Sequence, residues 1–128
     1  MKFPAKDSHS YLLQKKWLLP TIRQIQKDLS FQNLALTLGS TPSFSELKEQ
    51  LLILLIDLEA NDHQVLKNVL YQVDLDERHI RKSMLMSSDQ SFCEVLSLLL
   101  IKRCFQKVWT RLHFSNTENR SSDGLLNQ

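Results

Sequence analysis

Glycine and proline are scarce in this sequence, and both are absent from residues 43–123. These two residues are the strongest breakers of regular structure, and the apolar residues of the same stretch recur at helical spacing. The stretch therefore predicts a packed set of helices. Because Gly39 and Gly124 are the only glycines, the glycine-rich loops that hold phosphate groups are missing, which excludes most nucleotide-binding enzymes.

Cysteine is equally scarce, since Cys93 and Cys104 are the only two. They lie on one predicted helix, where a separation of eleven residues corresponds to ~16 Å along the axis. A disulfide needs Cα atoms ~5.5 Å apart. Both cysteines are therefore predicted to be reduced thiols packed in the interior, as is usual in a cytoplasmic protein.

Long hydrophobic runs are also absent. The most apolar run, residues 51–56, is far shorter than the ~20 residues of a membrane span. The first four residues are followed by polar residues instead of the apolar segment of a secretory signal. The sequence therefore predicts a cytoplasmic protein without membrane contact.

Charge is unevenly distributed along the chain. The net charge is +4 over residues 1–42, −6 over residues 43–77 and +4 over residues 78–128. One interpretation is that oppositely charged segments pack beside each other. The other is that a basic end of the molecule meets an acidic partner.

The first third of the chain predicts short helices followed by an irregular connection. Residues 11–19 have the apolar content of a helix, and a clear apolar stripe covers residues 22–29. Pro20, between them, either begins a second helix or kinks a longer one. Residues 31–38 predict irregular structure or a weak helical turn, and residues 39–42 predict a break and a hinge.

Side-chain caps divide the remaining stretch into four helices, because Ser and Asp satisfy the free N–H groups at a helix start. The predicted helices are 43–60 opened by Ser43, 62–73 opened by Asp62, 74–86 opened by Asp74, and 89–113 opened by Ser88 or Asp89.

These elements predict an all-α fold, a single-domain bundle of four to six helices. We expect helices 43–60 and 89–113 to form the central pair, with the two shorter helices as a hairpin between them and the N-terminal helices covering one side. The domain is predicted to cover residues 1–114, with residues 1–10 frayed, and residues 115–128 are predicted to be a polar, flexible tail.

No arrangement of catalytic or metal-binding residues is visible. The four histidines form no His-Glu-x-x-His pair, and segment 74–79 lacks the glycine and the run of oxygen ligands of a calcium loop. Cys93 is a candidate thiol nucleophile near a helix start, but its apolar surroundings favour core packing. We therefore predict that the protein is not an enzyme and uses no cofactor and no metal.

A basic group in the last helix is the candidate partner surface; it consists of Lys102, Arg103, Lys107 and Arg111. The last three are spaced four residues apart and line one helix face. This face is solvated, paired with the acidic middle segment, or in contact with an acidic protein or nucleic acid. A DNA-reading helix-turn-helix over residues 62–86 is disfavoured because its turn is acidic.

Two short motifs of this sequence resemble a pattern found in other proteins. Residues 70–75 read Leu-Tyr-Gln-Val-Asp-Leu, and residues 101–108 contain Ile-Lys-Arg followed by Gln-Lys-Val. The pattern resembles a set of small uncharacterised bacterial helical proteins, in which Arg is usual where Gln72 stands. The resemblance covers residues 47–112 and implies a helical fold in a bacterial cytoplasm, with no assigned activity.

Together these features predict a non-enzymatic protein-interaction or regulatory module whose partner is a protein. The partner can also be a second copy of the chain, because the apolar positions on helices 47–58 and 92–112 exceed the needs of one small core. The alternative function is nucleic-acid binding through basic helix faces, and a minor alternative is a thiol-dependent enzyme using Cys93.

Overall fold

The computed structural model describes the backbone of residues 2–126 and the side chains of residues 2–114. Six helices and no strand occur in this part of the chain, which confirms the predicted all-α bundle. The helices are α1 (Ser8–Leu12), α2 (Lys15–Ser30), α3 (Phe44–Asn61), α4 (His63–Val73), α5 (Glu77–Met86) and α6 (Phe92–Leu126). The side chains of the predicted polar tail, residues 115–128, lie outside the described residues, so its flexibility stays a prediction.

Helix α6 forms the centre of the bundle and contacts each of the other five helices. Its buried residues include Leu96, Leu100, Phe105 and Trp109. The predicted pairing of helices 43–60 and 89–113 corresponds to the α3–α6 packing, but the most extensive interface joins α2 to α6. The N-terminal helices were predicted to cover one side of this pair, and α2 is in addition a central element of the bundle. The reason is that α2 continues through Pro20 and presents one long apolar stripe to α6.

The other predicted pairing, a hairpin of α4 and α5, is wrong. Helix α4 packs on α2, α3 and α6, whereas the extensive packing of α5 is with α6. Ile80 is the one buried residue of α5. With so short an apolar stripe, α5 can attach to a single neighbour, and it diverges from α4.

Asn33 and Asp74 end helices in the left-handed conformation that glycine usually adopts, with φ of 58° and 69°. After α2, the Leu34 N–H donates to the Leu29 carbonyl at 3.1 Å, and after α4 the Leu75 N–H donates to the Leu70 carbonyl at 2.9 Å. These bonds satisfy carbonyl groups that the helix leaves unpaired. The chain therefore closes both helices without glycine.

The predicted caps are partly confirmed. Ser43 accepts from the Glu46 N–H at 3.1 Å, and Asp62 accepts from the Val65 N–H at 3.2 Å. The prediction that Asp74 opens a helix was wrong, because Asp74 closes α4 and Asp76 opens α5. The last helix begins later than predicted, since its cap is Ser91, which accepts from the Glu94 N–H at 3.2 Å.

The irregular segment 31–38 is confirmed and is fixed to α2 by one side chain. The Gln26 amide donates to the Leu36 carbonyl at 3.0 Å and accepts from the Leu36 N–H at 2.8 Å. At the N-terminus, within the segment predicted to be frayed, the Phe3 ring lies 5.4 Å from the Phe105 ring.

The left-handed residue Asn33 gives a direct test of this helix ending. We expect Asn33→Ala to lower the free energy of unfolding by about 1 kcal/mol, because a Cβ-bearing residue without a local hydrogen-bonding side chain is strained there. Asn33→Gly should be neutral or stabilising. Urea unfolding measures both, with exposed Lys82→Ala as the control. Equal losses of unfolding free energy in the alanine and glycine variants would contradict a left-handed backbone at position 33.

Candidate functional site

Two concave surfaces flank α5, one on each side of the helix. They exist because α5 is held by α6 and leaves α4 at the turn formed by Asp74. Leu75, just before α5, lines both surfaces.

The larger surface, which we call the α4–α5 groove, has a volume of about 630 Å³. Its floor is apolar and its rim carries charges of both signs. The floor consists of Leu66, Leu70, Leu75, Ile80 and Phe92, and the rim includes Glu59, Lys67, Tyr71, Glu77 and Arg81. Concave apolar surfaces with a few polar groups at the edge are typical binding sites.

Large apolar side chains are exposed beside the groove. Tyr71 is 88% exposed on its rim, and Leu85 is 84% exposed. Leu85 lies four residues after Arg81, so the two share one face of α5. Exposed apolar side chains grouped with polar ones mark contact surfaces, whereas scattered single ones need no explanation.

The smaller surface, the α5–α6 cleft, has a volume of about 400 Å³ and is lined by both charged and apolar residues. It brings the acidic turn before α5 together with Lys102 and Arg103. The Arg103 guanidinium lies 3.0 Å from the Asp74 carboxylate, and Asp76 accepts two backbone N–H groups. Most charges in the cleft therefore already have partners within the chain.

The four predicted surface residues differ in their surroundings. Lys102 and Arg103 line the α5–α6 cleft. Lys107 lies 2.8 Å from the Asp28 carboxylate in the α2–α6 interface, and Arg111 donates to the Gln24 amide oxygen at 3.0 Å. Three of the four thus have partners within the chain. Arg103 does pair with the acidic middle segment, whereas Lys107 pairs with an acid of the N-terminal segment.

Both cysteines are buried and unpaired, as the sequence predicts. The Cys93 thiol donates to the Glu59 carboxylate at 2.6 Å. Burial, together with this carboxylate, raises the pKa of Cys93 to about 12. Burial also raises the pKa of Cys104, whose sulfur lies 3.6 Å from Asp28 Oδ2. Since the thiolate is the nucleophile, neither cysteine is activated at neutral pH.

Sequence reasoning missed Asp28, which is 3% exposed and accepts a hydrogen bond from the Lys107 ammonium group. A signal for it exists, because Asp28 follows Ile25 by three residues on the apolar stripe of α2. A charge in such a position needs a partner. The α4–α5 groove has no comparable signal, since its floor residues look like ordinary core residues.

Comparison of the chain with protein-family models, with curated proteins and with solved structures gives no match. The similarity to small bacterial helical proteins therefore stays a prediction. Among the residues that the structure describes, no group of three His, Cys, Asp or Glu side chains could hold a metal ion. Within the same residues, no helix combines the length and the apolar character needed to cross a bilayer.

Proposed function

We propose that this chain is a non-enzymatic protein-interaction module that binds an amphipathic helix of its partner in the α4–α5 groove. The observation that carries the proposal is an apolar floor between charged rims, lying beside exposed Tyr71 and Leu85. As the resemblance implies, we place the module in a bacterial cytoplasm, where its two thiols stay reduced.

The groove suits a helix better than an extended strand. Helix α4, which forms one wall, has 11 residues, or ~16 Å, about three helical turns. A partner helix of that length presents apolar side chains at i, i+3 or i+4, and i+7, which is the usual pattern of recognition in a hydrophobic groove. The polar flanks of the partner helix would meet Glu59, Lys67 and the exposed Arg81–Glu77 ion pair on the rim.

The alternative of nucleic-acid binding through the basic face of α6 has less support. Arg103, Lys107 and Arg111 already bond to groups of the same chain. A nucleic acid is bound through cationic side chains that replace the counterions on its phosphate groups. Side chains that already pair within the chain are less suited to this role. A thiol-dependent enzyme is less well supported still, because the raised pKa of Cys93 keeps its thiol protonated.

Selection from a display library of amphipathic helical peptides tests the proposal. We expect enriched peptides with the i, i+3 or i+4, i+7 apolar pattern, and we expect Tyr71→Ala and Phe92→Ala each to weaken their binding at least tenfold. Both side chains are at least partly exposed, so both variants should fold.

Leu13→Ala is the matched control, because Leu13 is 63% exposed outside the groove; it should leave peptide affinity unchanged. Isothermal titration calorimetry measures all four proteins. Peptides that bind both groove variants as tightly as the unchanged protein, or a library that yields no binder, would rule out the groove as the site.

A further inference from the structure

The exposed charges of α2 all have one sign. Lys15, Lys16, Arg23 and Lys27 are exposed, whereas the single acid of α2, Asp28, is buried. Three of the bases recur at i, i+7 and i+11 and therefore share one face. We define the basic stripe as Lys16, Arg23 and Lys27 together with Leu19, which is 37% exposed on the same face.

The outer face of α3 has the opposite character. Ile53 and Ile56 are 55% and 51% exposed, and Glu49 and Asp57 are exposed beside them. We define these four residues as the acidic face. Its edge borders a groove of about 330 Å³ between α3 and residues 35–37.

These two surfaces are not neutralised within the protein. The ion pairs of the described side chains are Arg81–Glu77, Arg103–Asp74 and Lys107–Asp28, and none includes a residue of the basic stripe or the acidic face. The interpretation that oppositely charged segments pack beside each other therefore holds for few of the charges. Most charges of segments 1–42 and 43–77 remain on the surface.

The two surfaces flank the same short connection. Gln26 of α2 holds both backbone groups of Leu36, and Leu36 lines a groove with Ile53. The connection therefore fixes α2, which carries the basic stripe, relative to α3, which carries the acidic face, and a fixed relation is a condition for docking both surfaces at once.

We propose that two copies of this chain associate through a two-fold symmetric contact, in which the basic stripe of each copy lies on the acidic face of the other. In such an isologous interface every contact occurs twice. Opposite charges therefore meet at two places, each between α2 of one copy and α3 of the other. The contact also covers Leu19, Ile53 and Ile56. It leaves the α4–α5 groove open and is independent of the function proposed above.

A second copy fits these surfaces better than a nucleic acid. A polyanion would pair with the basic stripe, but it would be repelled by Glu49 and Asp57 and would leave the exposed isoleucines uncovered. A second copy supplies both a complementary charge and an apolar counterpart, which is the usual make-up of a specific protein interface.

Sedimentation velocity over a concentration series tests the proposal. We expect a reversible dimer that weakens as salt is raised from about 0.05 to about 0.5 M, since surface charge pairs are screened. Arg23→Glu with Lys27→Glu should weaken self-association at least tenfold, and so should Glu49→Lys with Asp57→Lys.

Mixing the two variants gives the decisive result. Each alone places like charges at both contacts, whereas the mixed pair places opposite charges at both, so the mixture should recover the dimer. Arg78→Glu with Lys82→Glu, the same charge change on exposed residues of α5, should dimerise normally. Circular dichroism checks that every variant is folded.

Three results would overturn the proposal. They are a monomer at every concentration, a dimer that both charge-reversed variants retain, and a mixture that fails to recover the dimer. A protein that stays monomeric and binds an oligonucleotide through Arg23 and Lys27 would assign the basic stripe to nucleic acid instead.

Discussion

Phe105→Ala is expected to lower the free energy of unfolding by about 4 kcal/mol, the range measured when a large buried side chain is truncated and a cavity remains. Phe105 is fully buried in α6. Four aromatic rings surround it with centroids at 5.4–6.1 Å, those of Phe3, Tyr11, Trp17 and Trp109. Edge-to-face and tilted ring pairs add to the energy of burial. Loss of the Phe105 ring therefore affects the N-terminal segment, α1, α2 and α6 together.

Chemical denaturation followed by tryptophan fluorescence measures this effect, because both tryptophans of the chain belong to the aromatic cluster. The melting temperature should fall by roughly 15 °C for a domain of this size. Phe105→Leu, which keeps most of the volume, should cost about 1 kcal/mol. A loss below about 1.5 kcal/mol for the alanine variant would show that the cluster collapses around the gap or is not packed as described.

The general fold follows from the sequence because its signals are local. The apolar stripes of α2, α3 and α6 and the caps Ser43 and Asp62 depend only on residues within a few positions of one another. The role of Asp74 could not be predicted in this way. Asp-x-x-Glu spacing suits a helix start, but Asp also tolerates the left-handed conformation that ends a helix, and here the next aspartate takes the capping role.

The candidate site was beyond sequence reasoning because it arises from a tertiary relation. The α4–α5 groove opens where α5 diverges from α4, and no property of Leu66 or Leu70 distinguishes a groove floor from a core position. The basic residues of α6 show the converse case. Their spacing places three of them on one helix face, but the buried Asp28 that pairs with Lys107 lies 79 residues away in the chain.

The second large effect is expected at this contact between α2 and α6. Asp28 Oδ2 accepts from Lys107 Nζ at 2.8 Å, and Asp28 Oδ1 accepts from the Gln24 amide at 3.0 Å. The Asp28 side chain is 4% exposed and that of Lys107 is 22% exposed. Since Lys107 also donates to the Gln72 carbonyl at 3.3 Å, this one ammonium group joins α6 to both α2 and α4.

Lys107→Met should therefore lower the free energy of unfolding by about 3 kcal/mol, because it leaves the Asp28 carboxylate buried without its cation. Asp28→Leu combined with Lys107→Met should recover the loss to within about 1 kcal/mol, since replacing a whole buried pair by apolar residues is often neutral.

Arg81→Met is the control: it breaks the exposed Arg81–Glu77 pair and should cost less than about 0.5 kcal/mol. Urea unfolding of the three variants measures the differences. A single variant no less stable than the control would show that water screens the Asp28 carboxylate, and a double variant less stable than Lys107→Met would show that the polar contacts of Asp28 stabilise the α2–α6 interface beyond compensating for its burial.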